Sequence, residues 1–216
     1  MSAAVIELAD GSGLLKAVGE QTYGDQPWCQ ALQRAIDPGG GARAHLAVMH
    51  EPYLTYILAG RKTIESRFSR HQIAPYGHVR NGDVLLFKAL GGPVTALALV
   101  AGVDYYRLDP DLWESLRRRF TAALAAEDEA FWTDRRDARY ATLMRIGAVR
   151  QLAPISVDKR DRRGWVVLDS HRVHPDQLSL VGEDSYVQAS KPLQSAGRHV
   201  RDSCEASVTT PRLWIE

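Results

Sequence analysis

The chain is poor in cysteine. It has two in 216 residues, Cys29 and Cys204, which lie near opposite ends and show none of the short spacings that hold a metal ion. This excludes a disulfide-rich framework and favours a reducing, intracellular setting. The sequence also lacks a basic-then-apolar signal at its start and any run of 18 apolar residues. We therefore expect a cytoplasmic protein without a membrane partner.

The chain also lacks a large excess of positive or of negative side chains. The formal net charge is +1, from 27 basic and 26 acidic side chains. A whole-molecule attraction for nucleic acid is thereby excluded, and any polyanion must be bound by local basic patches. With 45% hydrophobic and 25% charged residues, the chain has the composition of a soluble globular protein that can bury a full core.

Several catalytic and cofactor motifs are absent. The seven histidines show no His-Glu-x-x-His spacing, and no Cys-x-x-Cys pair occurs. The run Gly39 to Gly41 is not followed by Gly-Lys-Ser/Thr, so it is not a phosphate-binding loop, and there is no Gly-x-Ser-x-Gly elbow. We expect no metal site and no cofactor.

The most informative segment runs from Gly60 to Arg67 and reads Gly-Arg-Lys-Thr-Ile-Glu-Ser-Arg. It follows a helix predicted over Glu51 to Ala59, which has a proline at its first turn and a glycine stop at its end. From Thr63 to Phe68 polar and apolar residues alternate, which predicts a strand. Because side chains alternate across a strand, Glu65 and Arg67 are expected to point the same way.

The flanking sequence predicts a mixture of strands and helices. Apolar runs indicate strands at Val84–Lys88, Val94–Val103, Tyr140–Val149 and Gly164–Leu168. The first and second of these, joined by a Gly-Gly-Pro turn, are expected to form a buried hairpin. Asp109 followed by a proline predicts the start of an amphipathic helix. Trp132 and Trp165 are expected in the core, since tryptophan is usually highly buried.

Three segments divide the chain by composition. Residues 1–43 are predicted to be an N-terminal leader that ends in an Asp-Pro-Gly-Gly-Gly linker. Residues 44–170 carry the strong structural signals and are predicted to be the folded domain. Residues 171–216 are polar and have few periodic apolar positions, so we expect a flexible or surface-lying C-terminal tail.

The motif and its setting resemble the ASCH domain (activating signal cointegrator homology), a PUA-like family. Members share the pattern Gly-x-Lys-x-x-Glu-x-Arg after a helix, which Gly60, Lys62, Glu65 and Arg67 reproduce, followed by a Gly-Asp turn into an apolar strand, here Gly82-Asp83. The resemblance spans about residues 44–169. It implies an α+β fold, a PUA-like small β-barrel with flanking helices.

The resemblance also implies a function. ASCH domains are thought to bind RNA or modified nucleosides in the cleft beside this motif, and one bacterial branch resembles an amidohydrolase acting on N4-acetylcytidine. The catalytic lysine of that branch matches Lys62. Its threonine three residues later is replaced here by Glu65, and its helical glutamate has two candidates, Glu127 and Glu129. These departures weaken the case for hydrolysis and leave ligand binding unaffected.

The candidate site residues each have a structural alternative. Lys62 can act as a general base in a pocket or can cap helix carbonyls, and Glu65 can accept protons from a base edge or pair with a neighbouring cation. These two are the tentative catalytic residues. The candidates for binding a ligand or nucleic acid are Tyr53, Arg61, Arg67, Arg70, Lys159 and Arg160, whose basic groups can contact phosphate or can lie in solvated loops.

Two leading functions follow. The first is a module that binds RNA, DNA or a modified nucleoside, with nucleic acid or the nucleoside as partner. The second is an amidohydrolase that removes an acyl group from a modified cytidine, and a weaker third is a ribonuclease. The oligomeric state stays open. Convergence of Lys62, Glu65 and Arg67 on an open concavity favours the first two; a closed ion network favours a structural role.

Overall fold

A computed structural model describes residues 5–8, 11–160 and 162–168. The predicted tail, residues 171–216, lies outside the described residues. In chain order the elements are β1 (Ile6–Glu7), α1 (Ser12–Gln21), α2 (Gln26–Ile36), β2 (Ala44–Met49), α3 (Tyr53–Leu58), β3 (Ile64–Ser69), β4 (Val84–Ala89), β5 (Val94–Arg107), α4 (Pro110–Leu124), α5 (Glu129–Thr133), β6 (Tyr140–Ile155), β7 (Val157–Asp158) and β8 (Trp165–Leu168).

Six strands form one curled sheet in the order β3-β6-β5-β4-β2-β8. Neighbours are antiparallel except β2 and β4, which are parallel. The two ends of the sheet come together, because Arg67 on edge strand β3 donates hydrogen bonds to carbonyls of Val48 in β2 and of Gly164 just before β8. The result is an α+β half-barrel, which confirms the predicted fold class. A separate short parallel pair joins β1 to β7.

The sheet buries side chains on both faces. On one face α1 and α2 pack Leu15, Trp28 and Leu32 against Leu46 of β2 and Leu86 of β4. Alternate residues of the same strands point inside the half-barrel, where α3 packs on them. A third cluster lies between β3, the start of β6, α4 and α5. These three clusters fix the backbone from which the residues after α3 project.

Most predicted elements occur, with different ends. The β4–β5 hairpin is antiparallel and buried, as predicted. Asp109 caps α4, since its side chain accepts a hydrogen bond from the Leu112 backbone N–H at 2.8 Å. Trp132 and Trp165 are buried, also as predicted. Strand β6 runs to Ile155, beyond the expected end, because its second half pairs with the first half of the long β5. In the described part of the chain, no helix is both long and apolar enough to cross a lipid bilayer.

Candidate functional site

The turn after α3 directs Lys62 into the domain. Gly60 has a positive φ of 70°, a conformation that glycine adopts without the steric cost of a side chain. The chain reverses there, and the backbone N–H groups of Arg61 and Lys62 both donate to the carbonyl of Tyr56. Lys62 is consequently only 3% exposed although it lies in a short loop.

The Lys62 ammonium caps a helix. Its Nζ donates to the carbonyl of Leu124, the last residue of α4, at 3.2 Å. Ala125 follows in a left-handed conformation, φ 50°, which ends the helix there. The capping role expected for Lys62 therefore exists, but it serves α4 and not the preceding α3. The sequence could not show this, because the contact joins residues 62 positions apart.

Glu65 lies between two cations. Its Oε2 is 3.5 Å from Nζ of Lys62 and its Oε1 is 2.9 Å from Nε of Arg67, on the same side of β3 as the alternation predicts. Burial lowers the pKa of the Lys62 ammonium below its usual range, and the Glu65 carboxylate opposes that shift. The three groups form a compact, largely buried charge cluster.

Arg67 is held by the sheet but keeps an unsatisfied donor. Its Nη2 donates to the Val48 carbonyl at 2.9 Å and its Nη1 to the Gly164 carbonyl at 3.2 Å. Nε is close enough to Glu65 for an ion pair, yet its N–H direction misses the carboxylate, so this buried atom has no hydrogen-bond acceptor among the described residues. An unpaired buried donor is costly, so the hydrogen bonds of this charge cluster are incomplete.

The charge cluster opens onto a pocket of about 150 Å³. Polar walls come from the cluster, Ser66, His50 and Arg135, and aromatic walls from Tyr53, Phe68 and Phe131. The rings pack edge to face, with centroids 5.9 Å apart for Tyr53 and Phe131 and 6.1 Å apart for Phe68 and Phe131. The pocket thus combines flat apolar walls with a charged floor, which suits a small aromatic ring that carries polar edges.

Residues 48–145 match the family model of the ASCH domain. This part of the chain is therefore an ASCH domain, as the sequence motif predicted. This membership supports a role in binding nucleic acid or nucleosides, or in a related hydrolysis. The comparison with curated proteins finds no match.

Solved structures similar to this chain include an ASCH protein from Zymomonas mobilis. That structure is 16% identical over 52% of this chain and 73% of its own, with a TM-score of 0.42. The N-terminal domain of McrB from Staphylothermus marinus is 12% identical over 53% of this chain and 77% of its own, with a TM-score of 0.33.

The predicted site residues of this ASCH domain fall into two groups. Tyr53, Lys62, Glu65 and Arg67 line the pocket. The other four predicted residues, Arg61, Arg70, Lys159 and Arg160, do not line it.

Carboxylates accompany the basic residues outside the pocket. Arg61 pairs with Glu127 at 3.2 Å and lies over the Tyr56 ring, and Arg70 pairs with Asp137 at 2.5 Å. Arg160 pairs with both Asp158 and Glu7 at 3.2 Å, beside the β1–β7 pair. Partial neutralisation of these arginines leaves less charge for phosphate than the sequence alone indicates.

The two candidate helical glutamates also lie outside the pocket. Glu127 pairs with Arg61, and Glu129 pairs with Arg117 of α4. Neither belongs to the pocket lining. Of the described residues that line the pocket, Glu65 is the one carboxylate.

Sequence reasoning missed five polar or aromatic pocket residues, namely His50, Ser66, Phe68, Phe131 and Arg135. Arg135 is the most consequential of them. Its guanidinium lies 4.0 Å from the centre of the Phe131 ring, and its Nη1 donates to the Phe131 carbonyl at 2.7 Å. The spacing of four residues between the two was the available signal, since it brings side chains together at a helix end.

A second buried polar cluster lies next to the pocket cluster. His45 and Asp83 are fully buried, with Nε2 of His45 2.8 Å from Oδ2 of Asp83. The Trp165 indole N–H donates to Nδ1 of His45 at 3.3 Å, and the Arg67 guanidinium lies 5.3 Å from the centre of a Trp165 ring. Trp165 therefore contacts both clusters.

Proposed function

We propose that this ASCH domain binds the base of a pyrimidine nucleoside or nucleotide, free or in RNA or DNA, in the pocket beside β3. The observation that supports the proposal is the convergence of Lys62, Glu65 and Arg67 on one open, aromatic-walled concavity. A closed and mutually satisfied ion network would have favoured a structural role.

The size of the pocket favours a single ring. A cavity of about 150 Å³ accommodates a benzene-sized molecule, and the pocket here has that volume. A six-membered pyrimidine fits such a space, whereas the second ring of a purine must project into solvent. Tyr53 and Phe68 are partly exposed aromatic residues of the pocket lining and can stack on a base, an interaction that typically contributes about 1–3 kcal/mol per base.

The charges favour a base with both a donor and an acceptor. The Glu65 carboxylate accepts hydrogen bonds only, so it suits an exocyclic amino group. The Arg67 guanidinium, which lines the pocket, carries donors only and so suits a ring carbonyl. A cytosine-like edge offers these two functions side by side, whereas uracil presents a carbonyl where the amino group would be.

Calorimetric titration with cytidine, uridine, adenosine and guanosine, and with short single-stranded RNA and DNA, tests the proposal. We expect cytidine to bind at least about tenfold more tightly than the purines, a difference of about 1.4 kcal/mol. Glu65→Gln is expected to reduce the preference for cytidine over uridine, because the amide can donate as well as accept. If no nucleoside and no oligonucleotide binds, the proposal is wrong.

The burial of Lys62 favours a second candidate, an amidohydrolase acting on an acylated cytidine. Because burial lowers the pKa of Lys62, more of its neutral amine is present near pH 7 than for an exposed lysine. That amine can take a proton from a water molecule, which then adds to the acyl carbonyl while the base amino group leaves with a proton. Chromatography of N4-acetylcytidine incubated with the protein would reveal cytidine, and Lys62→Ala is expected to abolish its release.

A further inference from the structure

We infer that Arg135 is a phosphate-binding residue of the pocket, so that the preferred ligand is a phosphorylated nucleotide unit and not a free nucleoside. The inference rests on the proposed function and adds to it a residue and a ligand class. It depends on three observations: the charge balance of the pocket, the free donors of Arg135, and its exposure relative to the deeper groups.

The pocket carries more positive than negative charge. Lys62, Arg67 and Arg135 face Glu65, and the pairings of this carboxylate are with Lys62 and Arg67. Among the described residues, no carboxylate lies within ion-pairing distance of Arg135. A site with uncompensated positive charge and low-dielectric aromatic walls attracts an anion.

Arg135 has donors to offer. A guanidinium carries five N–H groups in a planar fork that matches the oxygens of phosphate. The described residues occupy one of them, through the hydrogen bond from Nη1 to the Phe131 carbonyl. Stacking on the Phe131 ring holds the fork in place, so little side-chain freedom remains to be lost when a phosphate binds.

Depth separates the base from the phosphate. Lys62 and Glu65 are each 3% exposed and form the floor, while Arg135 is only partly buried and meets solvent. Its charge still reaches the interior, since Arg135 adds to the lowering of the Lys62 pKa, which is caused mainly by burial. When the base lies on this floor, its sugar and phosphate are therefore directed toward Arg135.

The arginines predicted for phosphate contact do not offer the same site. Arg61 and Arg70 each have a carboxylate partner and lie outside the pocket lining. Arg135 lines the pocket, has free donors and has no carboxylate partner among the residues that the structure describes. This combination distinguishes it from its exposed neighbour Arg136, which does not line the pocket.

Titration of cytidine and of its 5′- and 3′-monophosphates against wild type, Arg135→Gln and Arg136→Gln tests the inference. In wild type we expect one of the monophosphates to bind about 10- to 30-fold more tightly than cytidine. Arg135→Gln is expected to bring that ratio close to one. Arg136→Gln removes the same charge one residue away and is expected to leave the ratio unchanged. Urea unfolding of both variants verifies that they fold.

A short single-stranded oligonucleotide distinguishes the two sources of the phosphate. If it binds more tightly than either monophosphate and depends equally on Arg135, the ligand is a nucleotide within a strand; equal or weaker binding indicates a free nucleotide. For a strand, the salt dependence of log Kd is expected to flatten by about 0.7 in Arg135→Gln, the contribution of one phosphate contact.

Two results would overturn the inference. One is cytidine binding as tightly as both monophosphates, which leaves the proposed function intact. The other is an equal loss in Arg135→Gln and Arg136→Gln, which would indicate general charge attraction. If neither cytidine nor any phosphorylated ligand binds, the proposed function fails together with the inference, and the cytidine titration separates that case from the others.

Discussion

Trp165 contacts two buried polar clusters that differ in how completely their hydrogen bonds are made. In the first, Asp83 accepts from the backbone N–H groups of Arg43 and Arg80, both at 2.8 Å, and from His45. Because an indole N–H can only donate, Nδ1 of His45 must accept from Trp165, which leaves Nε2–H to donate to Asp83. The described donors and acceptors of this cluster satisfy one another, and it lines no part of the pocket.

The charge cluster at the pocket, formed by Lys62, Glu65 and Arg67, has incomplete hydrogen bonding. Lys62 and Glu65 are 3.5 Å apart, Nε of Arg67 has no acceptor among the described residues, and all three groups border the pocket. Both clusters are buried and both contain a carboxylate, so burial and charge do not distinguish structure from function here. What distinguishes a functional cluster from a structural one is unsatisfied hydrogen-bonding capacity beside a cavity. A cluster that served folding alone would gain nothing from unpaired donors.

The largest expected effect is on stability and comes from a substitution in the His45–Asp83 cluster. Three donors surround the two oxygens of Asp83, so Asp83→Asn must turn its NH₂ group toward at least one N–H donor. We expect the free energy of unfolding to fall by roughly 3 kcal/mol or more, the usual cost of disrupting a buried charged network. Urea denaturation followed by tryptophan fluorescence measures it.

The matched substitution in the charge cluster at the pocket is Glu65→Gln. Its oxygen can remain near Arg67 while the new NH₂ group lies on the Lys62 side, where the original contact is long, at 3.5 Å. We therefore expect less than half the loss of stability seen for Asp83→Asn. Nucleoside binding is expected to suffer in this variant. Equal destabilisation by the two substitutions would show that both clusters are structural, and the comparison would fail.

A smaller effect is expected in the pH dependence of stability. The pKa of Lys62 in the folded protein lies below its ordinary value of 10.5, mainly because the residue is buried. Between the two pKa values the unfolded chain binds more protons than the folded one, so this residue makes stability rise with pH in that window. Each unit of lowering corresponds to about 1.4 kcal/mol.

Lys62→Met removes that contribution. Urea denaturation gives the free energy of unfolding of wild type and of Lys62→Met at each pH. We expect the difference, wild type minus variant, to increase as pH rises from 7 to about 10.5. Taking the difference cancels the tyrosines, such as Tyr53, whose pKa is raised by burial and whose effect on stability has the opposite sign. Parallel curves for the two proteins would show that Lys62 is not desolvated.

Local patterns in the sequence predicted the part of the site that lies on one strand. Alternation along β3 placed Glu65 and Arg67 together, and the motif identified Lys62. The pocket itself could not be predicted, because Phe131 and Arg135 reach it from a segment almost 70 residues away, after α4 has folded back on β3. Long-range packing decides which basic residues face a cavity.

The fold shows the same limit. The strands and the start of α4 follow from apolar runs and a cap, whereas α1 gave no prediction at all, because glycines near both of its ends leave only a short apolar pattern between them. The alternative capping role of Lys62 was recognised, but at the wrong helix. A cation near a helix end is visible in sequence; which carbonyl it meets depends on tertiary structure.

The smallest expected effect concerns the turn that presents the Leu124 carbonyl to Lys62. Ala125 adopts a left-handed conformation with φ 50°, which costs a residue with a side chain about 1–2 kcal/mol. Glycine has no such cost but loses more entropy on folding, by about 0.4–1 kcal/mol, and it also gives up the buried methyl group of Ala125, which contributes about 0.8 kcal/mol. We therefore expect Ala125→Gly to raise the free energy of unfolding by up to about 1 kcal/mol, in urea denaturation.

Ala122 provides the matched control, because it is an exposed residue in regular α-helix three positions earlier. The same substitution there, Ala122→Gly, is expected to lower stability by about 0.5–1 kcal/mol. If the free energy of unfolding rises in Ala125→Gly and falls in Ala122→Gly, the left-handed backbone at Ala125 is strained. Since that strain positions the acceptor of the Lys62 ammonium, its relief by glycine is also expected to leave nucleoside affinity unchanged or slightly weaker, never stronger.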